Sequence, residues 1–209
     1  MVNGRANLVL CCAAIALGVL AQPAPAYAGG EARTHDGFFM RLSTGFGSAK
    51  SKLEDSGTKV EIKGVSGDVN LAFGAVVSPN LALHGTLWGW TISDPDLEIT
   101  GLGSGSTNGT LTMGAIGPGL TYYFMPMNAY VSGSFGLGSL LGEKDVEGKT
   151  KTGFAMDVTV GKEWWVGNAW ALGLAGDVSF FSAKNDDFVN SNESWSGPGF
   201  GLRFSATFN

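Results

Sequence analysis

The stretch Asp68-Val69-Asn70-Leu71-Ala72-Phe73-Gly74-Ala75-Val76-Val77-Ser78-Pro79-Asn80 decides the fold class of this chain. Apolar residues occupy every second position from Val69 to Val77, and mostly small or polar residues lie between them. A period of two predicts a β-strand with one apolar face and one small or polar face. The Pro79-Asn80 pair then predicts a tight turn, because both residue types favour turn conformations.

Two further short turns follow the same design, at Met125-Pro126-Met127-Asn128 and at Val166-Gly167-Asn168. The three turns are spaced by roughly 40 residues, and longer, charged, glycine-rich stretches lie between them. Short turns at one end and long polar loops at the other are typical of an antiparallel barrel that crosses an outer membrane. The sequence therefore predicts the location of the protein better than its activity.

The alternating pattern predicts eight strands, an even number. They cover approximately residues 38–47, 68–77, 81–92, 111–124, 129–140, 153–161, 170–180 and 200–208. Both ends of the barrel domain then lie at the end with the short turns, which is periplasmic in bacterial barrels. The four longer connections, at about 48–64, 93–108, 141–151 and 182–194, are expected to face outward. In the third strand, the pattern leaves open which face points to lipid.

The first residues predict export. Arg5 precedes an uncharged apolar run from Leu8 to Leu20, and Ala26-Tyr27-Ala28 has small residues at the positions that a signal peptidase reads. We expect a signal peptide at 1–28, a short periplasmic lead-in at 29–36 and an outer-membrane barrel domain at 37–209. Both cysteines of the chain fall in the signal peptide, so the mature domain is expected to have no disulfide and no thiolate nucleophile.

Charged residues on the non-apolar face decide between two kinds of barrel. A soluble barrel of the lipocalin kind keeps its apolar face inside, whereas a membrane barrel turns that face to lipid. Buried charges are costly in a dry apolar interior unless they are paired. We therefore expect a membrane barrel in which two arginines pair with aspartates across a polar lumen. The residues of this predicted charge network are Arg41, Asp68, Asp157, Asp177 and Arg203.

Aromatic residues cluster beside the second and third turns, as in the interfacial girdle of a membrane barrel. The predicted girdle residues are Tyr122, Tyr123, Tyr130, Trp164, Trp165 and Trp170. Trp88, Trp90 and Trp195, near the outer strand ends, are candidates for a second girdle. Trp88 and Trp90 share a strand face with His84, so they are also candidates for lining the lumen.

The opening strand, the asymmetry of turns and loops, and the closing strand Phe200 to Asn209 together resemble a known family. The chain is similar to small bacterial outer-membrane β-barrels, the group that contains the outer membrane protein A barrel, Opa-like barrels and outer membrane protein W. This resemblance implies that the fold is all-β, an eight-stranded antiparallel up-and-down transmembrane β-barrel. It also implies that Phe204 and Phe208 belong to a C-terminal assembly signal, although this chain ends on Asn209 where the group usually ends on an aromatic residue.

The expected function is structural, or surface interaction through the extracellular loops, with a lumen plugged by charged side chains. The alternative is an outer membrane protein W-like passive conduit for small hydrophobic molecules, which needs an apolar upper lumen or a lateral opening. We expect no enzyme activity, because His84 has no identifiable serine partner, and no cofactor or metal. Expected partners are outer-membrane lipid, lipopolysaccharide and the barrel-assembly machinery. Nucleic acid is not expected, because a basic surface is absent from the sequence, and a monomer is the expected state.

Overall fold

The structure, a computed structural model, describes residues 35–55, 58–186 and 193–209. The predicted signal peptide and most of the predicted lead-in lie outside the described residues. The strands, in chain order from β1 to β11, are Phe38–Asp55, Thr58–Ser78, Leu81–Ser93, Asp96–Ile99, Gly103–Ser106, Gly109–Phe124, Ala129–Lys144, Gly148–Lys149, Gly153–Trp165, Trp170–Lys184 and Ser194–Phe208. In the described ranges, no helix is long and apolar enough to cross a membrane.

Eight long strands form a closed antiparallel barrel, in the order β1-β2-β3-β6-β7-β9-β10-β11. The barrel closes where β1 pairs with β11, for example at Met40 opposite Phe208 and at Gly45 opposite Arg203. The predicted eight-stranded up-and-down architecture is confirmed. Three short strands lie outside the ring: β4 pairs with the outer part of β2, β5 pairs with β4, and β8 pairs with β7.

The two faces of the wall have the chemistry that the alternation predicts. Large apolar side chains such as Phe46, Phe73 and Leu202 point away from the barrel and are exposed. Charged side chains such as Arg203 point inward and are buried. An apolar exterior and a charged interior are the arrangement of a membrane barrel, not of a soluble one.

The face assignment of β3, which the sequence leaves open, is decided by the structure. His84, Thr86, Trp88 and Trp90 are all buried inside, and Leu83 is exposed outside. β3 pairs with β2 and β6 without a register shift through this part of the strand. Every second residue of β3 therefore stays on the same face. The Trp88–Trp90 side of the strand is therefore the lumen side.

The first connection at the loop end is shorter than the sequence predicts. The predicted 48–64 loop is mostly a hairpin, because β1 and β2 stay paired as far as Asp55 opposite Thr58. Beyond the lipid-facing part the period of two continues with its faces exchanged, because Ile62 points inward into the buried apolar cluster while Lys59, Glu61 and Lys63 point outward. Cross-strand charge pairs such as Lys52 opposite Glu61 take the place of apolar contacts.

Candidate functional site: the side-chain layers of the lumen

The first layer of the lumen centres on Arg203 of β11. Its Nη2 lies 2.9 Å from Asp157 Oδ2 and 3.0 Å from Asp177 Oδ2, and 3.6 Å from Asp68 Oδ1. Its Nη1 donates to Asp157 Oδ1 at 3.1 Å and to Thr159 at 3.3 Å. One guanidinium thus meets carboxylates from β2, β9 and β10, as the sequence analysis expects for this arginine. The Nη1–Asp157 contact is a charge-assisted hydrogen bond, the stronger class, and the Nη2 contacts are ion pairs.

Gly201 makes room for these carboxylates. A Cβ at this position would lie 2.5 Å from Asp177 Oδ1 and 3.1 Å from Asp68 Oδ2, closer than an atom can sit without displacing them. Gly201 is two residues before Arg203 on the same face of β11, so the strand provides both the cation and the space beside it.

Arg41 belongs to a second layer, nearer the turn end, and the expected pairing of Arg41 with the aspartates is wrong. Its Nη2 donates to Ser132 at 2.8 Å and to Thr121 at 3.3 Å, and its guanidinium lies 4.5 Å from the centre of the Tyr130 ring. The strand register places Arg41 four residues below Gly45, which is opposite Arg203. This offset separates the two guanidinium groups along the barrel axis.

Glu163 is a lumen carboxylate that the sequence analysis missed. It is 1% exposed, and it accepts hydrogen bonds from Thr207 at 2.6 Å, Ser205 at 3.2 Å and Tyr123 at 3.2 Å. It lies just beyond the end of the predicted sixth strand. Extending the alternation from Asp157 through Gly161 to position 163 would have placed it inside, because alternate strand residues share a face.

His35 closes the turn end of the lumen. Its backbone N–H donates to Asn80 Oδ1 at 3.2 Å, and its ring Nε2 lies 2.7 Å from Asn128 Oδ1. The ring stacks on Tyr123 with centres 3.5 Å apart and lies 5.0 Å from the Trp165 ring. Asn80 and Asn128 have positive φ angles of 63° and 52°, which asparagine tolerates in turns. His35, a residue of the predicted lead-in, thus contacts an asparagine in each of the first two turns and the Trp165 ring beside the third turn.

A third layer, toward the loop end, is apolar. Trp88 and Trp90 are buried in it, so their assignment to an outer girdle is wrong. The buried side chains of this cluster are Ala49, Ile62, Trp88, Trp90, Ile92, Leu111, Met113, Ala115, Leu140, Ala155, Phe181 and Ala183, with Leu97, Val146 and Trp195 packed against it. A cavity of about 100 Å³ opens beside Ile62, Leu140 and Trp195.

The predicted girdle divides into two groups. Tyr122, Trp164 and Trp170 are exposed on the outer face at the turn end, where a girdle would lie. Tyr123 and Tyr130 are buried in the lumen, so their assignment to the girdle is wrong. The reason is strand parity, since neighbouring residues on a strand point to opposite faces. Trp165, which follows Trp164, likewise turns inward toward His35.

The two residues of the predicted assembly signal lie on the outer face of β11. Phe204 is exposed, and Phe208 packs edge-on against Trp170 with ring centres 5.2 Å apart. Their recognition by the assembly machinery remains a prediction. His84 is buried and hydrogen-bonds through its two ring nitrogens to Thr86 at 2.7 Å and Thr121 at 2.9 Å.

A barrel of eight strands with an apolar exterior and a charged lumen is the fold of the small outer-membrane β-barrels. Solved structures of this class have the same fold. OprG from Pseudomonas aeruginosa superposes with a TM-score of 0.50 at 13% identity, covering 84% of this chain and 98% of its own. The Neisserial surface protein A superposes with a TM-score of 0.50 at 14% identity, covering 84% of this chain and 99% of its own. No protein-family model matches the chain, and no curated protein matches it in sequence.

Proposed function

We propose that this protein is a closed outer-membrane barrel with a structural or surface-interaction role at its loop end. The observation that supports the proposal is the series of contacts across the lumen at successive heights. His35 and Glu163 lie at the turn end, Arg41 follows, Arg203 holds three aspartates, and the Trp88–Trp90 cluster lies above them. An eight-stranded barrel is just wide enough for side chains to fill its interior.

The polar layers oppose ion flow for an energetic reason. A hydrated ion that passes Arg203 must separate its guanidinium from buried carboxylates, and breaking one side of a buried ion cluster costs about 3–5 kcal/mol. The layer above is lined mostly by apolar side chains, so a dehydrated ion gains few replacement ligands there. The lumen is therefore proposed to carry no steady ionic current.

Planar-bilayer recording of the refolded protein tests this proposal. The unmodified protein is expected to give no steady conductance, and Arg203→Ala is expected to give brief openings, because it leaves three carboxylates without their shared cation. The matched control is Leu202→Ala, which removes an outward side chain from the neighbouring position of β11. Steady single-channel conductance in the unmodified protein would contradict the closed lumen.

The apolar upper layer supports a second candidate, a passive conduit for small hydrophobic molecules. The cavity of about 100 Å³ is lined by Ile62, Leu140 and Trp195, which suits an apolar solute. Small-molecule pockets commonly have about 300 Å³ or more, so a solute would have to displace side chains to enter. A second space, of about 800 Å³, borders Trp88 and Trp90 but also the exposed side chains of Leu87 and Leu137, so it includes the outer surface of the wall and is not enclosed in the lumen. The closed barrel is the first proposal because ion pairs and hydrogen bonds cross the lumen below the apolar layer. Uptake of a hydrophobic tracer into vesicles that contain the protein, increased by Trp90→Ala, would favour the conduit.

A further inference from the structure

The short strand β5 has a free edge at the loop end of the barrel. It covers Gly103–Ser106, and all four residues are exposed. β5 pairs with β4 on one side, and β4 pairs with the outer part of β2. Among residues 35–55, 58–186 and 193–209, no strand pairs with the other side of β5. An open edge presents backbone N–H and C=O groups that a further strand can bond.

The backbone groups of Ser104 and Ser106 point to this free edge. Thr107 N donates to Pro95 O at 3.0 Å, which places the N–H of Thr107 on the β4 side. Alternate residues of a strand direct their N–H and C=O groups to the same side. The two glycines of β5 therefore bond β4, and the two serines direct their N–H and C=O groups away from it.

The face of the β4–β5 hairpin that points toward the lumen carries a groove. Leu97 and Ile99 of β4 lie on this face opposite Gly105 and Gly103, and Leu97 packs against the buried apolar cluster. Because the two glycines have no side chains, a groove of about 290 Å³ is left beside the two apolar side chains. Leu102, which is 84% exposed, also lines the groove. This space can accept side chains from a strand that pairs with β5.

The opposite face of the hairpin is polar. Ser104 lies opposite Glu98. Ser106 lies opposite Asp96, and its Oγ donates to Asp96 Oδ1 at 3.0 Å. A strand added to β5 would thus meet an apolar groove on one face and polar groups on the other. Since successive side chains of a strand point to opposite faces, the matching partner has large apolar residues at every second position and polar residues between them.

We propose that β5 binds an extended peptide segment of another protein by strand addition, with large apolar side chains of that segment filling the groove over the two glycines. The proposal rests on the surface-interaction role proposed above and names the kind of partner. A second copy of this chain is a poorer match, because its own β5 would bring only glycine and serine to the groove. β5 also lacks the lysine and proline residues by which edge strands avoid such pairing.

The test measures binding of a synthetic peptide to the refolded protein in a neutral detergent. The probe has about eight residues, an ordinary strand length, and phenylalanine or valine alternates with threonine in it. It is expected to bind more tightly than a peptide of the same composition whose apolar residues are adjacent. Methylation of alternate backbone nitrogens is expected to abolish binding for one of the two possible sets and to spare it for the other, because only one set points its N–H groups at β5.

Two variants test the edge and the groove separately. Ser104→Pro removes an N–H group from the free edge, a place where a strand tolerates proline, and is expected to weaken binding about fivefold. Gly105→Val fills the groove with a side chain of the protein itself, and a Cβ there would meet no atom within 4 Å. It is expected to weaken binding about tenfold. The matched control is Gly133→Val in β7, where a Cβ likewise meets no atom within 4 Å and binding should not change.

Three results would overturn the proposal. The first is equal affinity for the alternating peptide and for the peptide with adjacent apolar residues. The second is unchanged binding in a folded Gly105→Val protein. The third is a cross-linked dimer that Gly105→Val abolishes, which would mean that a second copy occupies the edge. The heat-dependent mobility shift on a denaturing gel establishes that each variant is folded.

Strand addition and the closed lumen can fail separately. Absence of peptide binding in a protein that gives no steady conductance would refute strand addition and leave the closed barrel in place. Steady conductance in a protein that binds the alternating peptide would refute the closed lumen and leave the β5 edge as a docking site.

Discussion

Arg203 of β11 and Asp157 of β9 meet at two points, although β10 lies between their strands. The Nη2–Oδ2 distance is 2.9 Å and the Nη1–Oδ1 distance is 3.1 Å. The Nη1 contact is a hydrogen bond and the Nη2 contact is an ion pair, and Nη2 also lies 3.0 Å from Asp177 and 3.6 Å from Asp68. β11 is the strand that closes the barrel by pairing with β1. The contact therefore ties this closing strand to a lumen side chain of β9.

Arg203→Met is expected to destabilise the barrel by about 3 kcal/mol or more, because it leaves several buried carboxylates without their shared cation. Arg203→Lys should lose part of this amount, since an ammonium keeps the charge but not the planar fork. The measurement is the urea midpoint of the gel mobility shift after refolding into lipid vesicles. A midpoint for Arg203→Met equal to that of the unmodified protein would show that the cluster contributes nothing to stability.

Tyr123→Phe and Tyr122→Phe remove the same hydroxyl from neighbouring residues on opposite faces of β6. Tyr123 donates to Glu163 at 3.2 Å inside the barrel, whereas Tyr122 is exposed outside. A hydrogen bond to a charged group contributes about 1.5–3 kcal/mol, so Tyr123→Phe should lower the urea midpoint. Tyr122→Phe should leave it nearly unchanged. Equal effects of the two variants would argue against the inward orientation of Tyr123.

The girdle prediction, limited to Tyr122, Trp164 and Trp170, can be tested by quenching with brominated lipids. In variants that keep a single tryptophan, Trp170 fluorescence should be quenched most by bromines near the interface, because its side chain lies outside at the turn end. Trp88, buried in the lumen, should be quenched little. Strong quenching of Trp88 by lipid would mean that the faces of β3 are reversed.

The Glu61 carboxylate is expected to make the β1–β2 hairpin sensitive to acid. Its pKa in the folded protein lies below the ordinary value of 4.5, because the surrounding lysines favour the charged form over the effect of burial. Its stabilising contribution is therefore complete above that ordinary value and is lost as the pH falls through the lower folded value.

The measurement is hydrogen exchange of the hairpin amides in the unmodified protein and in Glu61→Gln, corrected for the intrinsic effect of pH. Protection should be greater in the unmodified protein at neutral pH, and the difference should disappear in acid. Amides of the β9–β10 pair, far from Glu61 in the ring, serve as the internal control. A difference that stays constant with pH would contradict the electrostatic role of this carboxylate.

Strand parity was present in the sequence and could have corrected two errors. Val131 and Phe135 predict the lipid face of β7, so Tyr130 must point inward by the same alternation. Tyr123 follows from Tyr122 in the same way. The assignment of both tyrosines to the girdle used proximity to a turn, which is a weaker signal than the face that a strand residue occupies.

The length of the β1–β2 hairpin was missed because the apolar face changes sides along β2. Above the lipid-facing region, Lys59, Glu61 and Lys63 are charged on the outward face, and Val60 and Ile62 alternate with them on the inward face, so the apolar period continues on the opposite side of the strand. Backbone pairing continues there because an N–H or C=O group bonds its cross-strand partner whatever the side chains are. A strand assignment that follows only the outward apolar face therefore ends too early on β2.

The sequence by itself determined the architecture, because a period of two and a turn are local properties that a single strand or dipeptide already expresses. It did not determine that Arg203 meets three aspartates while Arg41 lies with Ser132 and Tyr130. Those partners depend on how far each strand is shifted along the next one when the barrel closes. A shift of two residues leaves every side chain on the same face, so the alternation in the sequence does not reveal it. Only the closed ring decides which inward residues share a height.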